Sequence, residues 1–287
     1  MLKLVILIIY FAVLIGIGLY CRKHATDVNG FVLGGRSVGP WLTAFAYGTS
    51  YFSAVVFVGY AGQFGWKYGI AATWAGIGNA IIGSLLAWVV LGRRTRIMSQ
   101  HLDSATMPQY FGKRFGSNPL KIGASVIIFI FLIPYTASLY NGLSRLFGMA
   151  FNIDYSVCII IMATLTAIYV IAGGYMATAI NDFIQGIIML FGIVAVIAAV
   201  IHSKGGFMSA LQGLANVSDP AVSDTPGIFA SFFGPDPFNL LCVVILTSLG
   251  TWGLPQMVQK FYAIDNEASI QKGTVISTIF ALIVSGG

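Results

Sequence analysis

Two stretches of this chain hold polar side chains in surroundings that are almost wholly apolar. The first is Tyr47-Gly48-Thr49-Ser50-Tyr51-Phe52-Ser53, and the second is Thr247-Ser248-Leu249-Gly250-Thr251-Trp252-Gly253-Leu254-Pro255. Neither holds a nucleophile beside a base, and His24, His101 and His202 stand apart in polar connections. Catalysis needs such groups converging at one depth, so the two stretches point to binding and not to an enzyme. Gly and Pro weaken a helical ladder, and neighbouring hydroxyls satisfy the backbone groups set free. A span interrupted in this way offers carbonyl oxygens to a cation and N–H groups to an anion, the chemistry of an ion and solute site at mid-membrane. The plainer alternative is that small residues let helices pack closely. The two expected breaks share a Gly-Thr pair, Gly48-Thr49 and Gly250-Thr251.

The elements that must position these stretches are membrane helices. Of 287 residues 57% are hydrophobic and only 8% are charged, with a mean hydropathy of +0.87. A soluble domain carries roughly 25% charged residues, so a soluble enzyme, a nucleic-acid binder and a disordered chain are all disfavoured. Apolar runs of about 20 residues, enough to cross a bilayer, fall near 3–20, 41–62, 70–92, 122–148, 155–174, 183–202 and 238–254, and an eighth begins near 273. The first lacks a small-residue cleavage site and is followed at once by Cys21-Arg22-Lys23, so it reads as a retained span. Cys21, Cys158 and Cys242 show no metal spacing and read as small core hydrophobes.

With the N-terminus outside, Arg22, Lys23, Arg36, Arg93, Arg94, Arg96, Lys113, Arg114, Lys121, Lys260 and Lys272 face the cytoplasm. Only Lys3, Lys67 and Lys204 then face outward. This bias orients the chain as a multi-pass protein of the plasma (cell inner) membrane. If the second span opens a core, five spans occupy 41–202 and the sixth core span is the second interrupted one. The expected organisation is an extra helix and cytoplasmic lead-in over 1–40, a first five-helix repeat over 41–202, an extracellular loop over 203–237 and a truncated second repeat over 238–287. The chain stops inside an apolar run at Ser285-Gly286-Gly287, which predicts an incomplete C-terminal part.

Three separated motifs carry a family resemblance. Phe31-Val32-Leu33-Gly34-Gly35-Arg36-Ser37-Val38-Gly39-Pro40-Trp41 resembles the cytoplasmic lead-in of the sodium/solute symporter family. Gly173-Gly174-Tyr175-Met176-Ala177 with Asn181-Asp182-Phe183-Ile184-Gln185, and Trp252-Gly253-Leu254-Pro255-Gln256 with Lys260-Phe261 and Ala263, resemble two further parts of it in the same order. The resemblance implies an all-α integral membrane protein with a leucine-transporter-like inverted-repeat bundle, and sodium-coupled uptake by alternating access. Sodium is then the coupling ion, no other cofactor is implied, and the partners are a small solute and the lipid bilayer, with no nucleic acid. It also implies that main-chain carbonyls of Thr49 and Phe52 ligate sodium, and that Ser53, Tyr135, Trp252 and Pro255 line the substrate site. Closest in flavour are proline-type and pantothenate-type members.

Several alternatives stand beside these roles. Asp182 matches a residue linked in the family to sodium leaving inward, yet Asp182 with Gln185 also reads as a capping box at a helix start. Tyr135 also reads as a packing or interfacial aromatic. Arg145 either snorkels outward or pairs with Asp154. The chain departs from the proline-type pattern at Tyr51, Val55, Thr247 and Thr251, and from the sugar-type pattern at Val56 and Gly76, where a polyol would leave hydroxyls unpaired. A small amino acid or organic carboxylate is therefore the expected solute. A channel would want a continuous polar pore; a proton-coupled carrier and a sensor on the same fold are the remaining rivals.

Overall fold

The computed structural model describes residues 2–53 and 60–286, and helices dominate them. After α1 (Leu2–Cys21) come α2 (Val28–Leu33) and α3 (Pro40–Tyr51). One helical body then runs from Gly62 to His101. It comprises α4 (Gly62–Tyr68), α5 (Thr73–Gly78), two π-helical segments (Asn79–Leu86 and Trp88–Gly92) and α6 (Arg93–His101). There follow α7 (Met107–Phe115), α8 (Asn118–Phe151), α9 (Tyr155–Ser203), α10 (Phe207–Ala215), α11 (Pro237–Leu249), α12 (Pro255–Ala263) and α13 (Glu267–Ser285).

Among the described residues, Gly62–His101, α8, α9 and α13 are each long and apolar enough to cross a membrane, and α11 with α12 forms a broken fifth span bent by 52°. The 49 residues of α9 would extend ~73 Å at 1.5 Å each, more than twice the ~30 Å hydrocarbon core. They therefore make two crossings, which accounts for the expected runs at 155–174 and 183–202. The helical path is broken at Gly174 (φ 56°, ψ −149°), a left-handed position that disfavours any side chain. A Cβ there would also lie 2.7 Å from the Phe31 carbonyl oxygen.

The position of that break corrects two expectations. Asp182 lies about two turns beyond Gly174, well inside the helix. Its capping-box reading therefore fails, because the orphan N–H groups of a helix start are not there. Arg145 does not pair with Asp154. Its Nε donates to Asn141 Oδ1 at 2.8 Å, one turn away on α8, while Asp154 caps α9 by accepting from Ser156 N–H at 2.8 Å. Cys21 and Cys158 are buried as expected, but Cys242 is exposed on α11.

The core is organised around α3. Six successive residues of it, Thr43 to Gly48, are buried, the mark of a helix enclosed on all sides. Phe45 packs between Phe183 of α9 and Phe280 of α13, with ring centroids 4.8 and 5.2 Å away. Tyr47, Trp88 and Phe261 form a second aromatic group at 5.1–5.7 Å. Such pairs each contribute roughly 0.5–1.5 kcal/mol beyond area burial. By contrast, of the 34 residues of α8 only Ser144 is buried.

The lead-in is fastened to the C-terminal ends of α6 and α12. Arg36 adopts φ 55°, uncommon for a residue with a side chain. Its guanidinium is held by Ser99 Oγ and by the carbonyl oxygens of Ser99, Ser104 and Tyr262, at 2.9–3.2 Å. Burial pulls its pKa below the ordinary arginine value, against the nearby Asp103 carboxylate. Arg96 donates to the carbonyls of Ile264 and Asp265 at 2.6 and 2.9 Å. Val38 adds two backbone bonds, to Ala263 O and from Asp265 N–H. The stretch that resembles a cytoplasmic lead-in thus closes against the far end of α12.

Candidate ion and solute site

The two interrupted stretches are both breaks, and different local chemistry makes each. At the second, Pro255 excludes helical geometry from the residue before it. Leu254 accordingly turns extended (φ −68°, ψ 126°), and Pro255 starts α12 at the position where its missing N–H costs nothing. The stretch Gly250–Gly253 tightens into a 3-10 turn that joins α11 to this corner. At the first break the expected place needs correction. Gly48 and Thr49 lie in regular helix, and α3 runs on to Tyr51. The last bond of that helix is Phe52 N–H to Gly48 O, and Phe52 leaves helical geometry (φ −91°, ψ 68°). Gly48 serves packing instead: a Cβ there would collide with the Phe280 ring, so the close-packing alternative holds at that residue.

An α-helix ends with four carbonyls that lack an intrahelical donor. Among the described residues, the carbonyls of Thr49, Ser50, Tyr51 and Phe52 receive no backbone donor. The Thr49 hydroxyl is already committed to Phe45 O at 2.9 Å, and the Phe52 side chain is 3% exposed in the core. What these two residues can offer a cation is their main-chain oxygen. Ser53 follows at the break, half-buried and outside any helix. Val55 and Val56, named above as departures from related patterns, lie outside the described residues.

A polar network joins the breaks. The Tyr51 hydroxyl lies 3.0 Å from Thr247 O on α11 and 3.0 Å from Asn79 Oδ1. Ser248 Oγ is 3.1 Å from the same Asn79 atom. A phenol has one proton and a carbonyl can only accept, so the three contacts are all met when the Asn79 amide is turned to donate. Asn79 opens the first π-helical segment, a geometry concentrated at functional sites. Sequence reasoning passed over Asn79. Its signal was an amide in the middle of the apolar run 70–92, where polar side chains act as interhelical glue.

The residues expected to bind substrate divide into groups. Tyr135, directly after Pro134 in α8, lines a largely apolar cavity of about 470 Å³ with Met107, Phe111, Phe131, Gly253, Leu254 and Pro255. A volume of that order suits a small solute. Tyr135 and Pro255 are thus brought together from residues 120 apart in sequence. Trp252 turns its indole N–H to Ile82 O at 3.0 Å and packs against the α3 core. Neither Trp252 nor Ser53 lines this cavity.

Asp182 lies apart from this cavity's lining, and Lys260 Nζ approaches its Oδ2 at 3.4 Å.

The chain is similar to known proteins. The family model described as Sodium:solute symporter family matches residues 31–287. The Osmoregulated proline transporter OpuE of Bacillus subtilis (strain 168) is 30% identical over 278 residues, covering 96% of this chain and 54% of its own length. A Sodium/proline symporter of Staphylococcus aureus (strain JH9) is 32% identical over 282 residues, covering 93% and 51%. The chain therefore spans about half the length of these curated relatives. Among solved structures, a Na+-coupled sialic acid symporter in a substrate-bound outward-open state aligns over 100% of this chain and 60% of its own. Its TM-score of 0.76 at 18% identity establishes the leucine-transporter-like fold. With three motifs, a matching fold and a family match over nearly its whole length, this chain belongs to the sodium:solute symporter family.

Proposed function

We propose that this chain contributes the lead-in, the first repeat (41–202) and the start of the second (238–287) to a carrier that couples sodium influx to uptake of a small amino acid. The observation that carries this reading is the end of α3. Its final carbonyls, from Thr49 to Phe52, run past the last helical bond beside a second broken helix. Thr49 and Phe52 hold sodium through main-chain oxygens. Oxygen donors of this kind suit a hard cation, and no side-chain charge is needed. Tyr135 and Pro255 meet the solute in the cavity they line; Ser53 and Trp252, outside that cavity, are assigned to the substrate site by the family resemblance.

The carrier lies in the plasma membrane with its N-terminus outside, in line with the excess of Lys and Arg on the other side. The Arg36 and Arg96 fastenings close the cytoplasmic side, so movement of one helix group against another must release them in each cycle. One charge moving down 100 mV supplies about 2.3 kcal/mol, which drives accumulation. Relatives named for proline make proline the first compound to test.

The test is uptake of labelled proline, pantothenate and short monocarboxylates into vesicles carrying the complete gene product, with an inward sodium gradient or with potassium in its place. Sodium-dependent uptake of one compound is expected. Uptake indifferent to sodium but driven by a proton gradient overturns sodium coupling, and no uptake of any compound favours a sensor on the same fold.

A further inference from the structure

Lys260 is 6% exposed on α12, and its ammonium lies 3.4 Å from Asp182 on α9. Among the described residues each is the other's sole ion-pair partner. The contact is long: tight ammonium–carboxylate bonds measure about 2.7–2.9 Å, as Arg93 and Glu267 do at 2.7 Å on the exposed surface. An ammonium carries three protons, and Asp182 Oδ2 is the one acceptor they find among the described residues. The ammonium also faces the Tyr175 ring at 5.2 Å.

The same two helices hold hydrogen-bonding capacity that is not used. Asn181, next to Asp182, and Gln256, one turn before Lys260, each have both amide atoms buried without a partner among the described residues. The Tyr175 hydroxyl is likewise buried and unpartnered. Buried polar groups are normally satisfied, and these three lie on the two helices that carry the ion pair, so they fit a site with more than one occupancy. A carboxylate largely withdrawn from water is costly to leave without a cation, a proton or several donors. In the packing seen here Lys260 fills that need.

We propose that Lys260 is a tethered competitor of the transported sodium ion at Asp182. The proposal rests on the sodium-coupled reading above. The lysine stem is flexible and its head is a compact point charge, so the ammonium can leave Asp182 by side-chain rotation alone. Gln256 lies on the same helix face, four residues away, and its oxygen is there to receive it. Asp182 is then open to a sodium ion. Return of Lys260 expels that ion without leaving the carboxylate bare, which favours release over retention.

The experiment is a sodium titration of thermal stability, made on the purified complete gene product in lipid discs with potassium keeping ionic strength constant. Removing the competitor in Lys260→Gln should lower the sodium concentration for half-maximal stabilisation about tenfold, within the usual range of coupled equilibria. Lys260→Arg, with a rigid fork that grips a carboxylate more firmly, should raise it. Both shifts should vanish when Asp182→Asn is added. An unshifted or raised value for Lys260→Gln overturns the proposal while leaving sodium coupling intact. No sodium response in the unmodified protein overturns sodium coupling itself, and the proposal with it. Should Lys260→Gln not fold, Gln256→Leu replaces it: loss of the withdrawal position should raise the half-maximal concentration, and an unchanged value overturns the proposal.

Discussion

The hydroxyl of Tyr51, at the last turn of α3, lies 3.0 Å from the carbonyl oxygen of Thr247 on α11. One side chain therefore ties together the two helices that break at mid-membrane, and Asn79 holds the same hydroxyl from a third element.

Tyr51→Phe keeps the ring packing but removes the tie. Leaving a buried acceptor unpaired costs about 1–3 kcal/mol, so the melting temperature should fall. In the double-mutant cycle with Asn79→Ala the two losses should be non-additive, with a coupling of about 0.5–3 kcal/mol. Additive losses would show that the two residues do not act together.

Asp182→Asn should destabilise the protein by about 3 kcal/mol, because it strands the Lys260 ammonium in a buried position. Adding Lys260→Gln should recover most of that loss. Denaturation of the single and double variants in one lipid composition checks this, and a double variant no better than Asp182→Asn would contradict it.

Gly174→Ala should lower folded yield and melting temperature by an amount equivalent to about 1–2 kcal/mol from the left-handed backbone alone. The approach to Phe31 O adds to that. The same change at Gly192, which has open space around it, should be tolerated. Equal effects at both sites would rule out Gly174 as the turning point between two crossings.

Arg36→Lys retains the charge but cannot reproduce a guanidinium that spans Ser99, Ser104 and Tyr262. Losing one such charge-assisted bond costs about 1.5–3 kcal/mol. A cysteine placed at Ser37 should then label faster from the cytoplasmic side than in the parent protein. Labelling at the parent rate would mean that Arg36 does not hold this end closed.

Much of this protein could be read along the chain because its strongest rules act between near neighbours. Apolar runs of bilayer length predict spanning helices, since backbone groups in lipid must bond internally. Pro255 places the second break to the residue, because its ring dictates the geometry of Leu254. The first break has no proline, and the Gly-Thr pair suggested its place a few residues too early. Gly48 answers to Phe280, 232 residues away, and nothing local distinguishes that use of glycine from a helix breaker.

The same limit explains Asp182. An acid before an apolar run looks like a cap, but the helical segment begins at Tyr175, and the partner that matters is Lys260, 78 residues on. Asn79 gained its role from Tyr51 and Ser248, 28 and 169 residues away. Local chemistry along the chain determined which segments are helices, where proline stops one, and that polar groups gather at mid-membrane. Tertiary packing alone decided which of those groups face one another, because the partner of a buried polar side chain is chosen by distance in space.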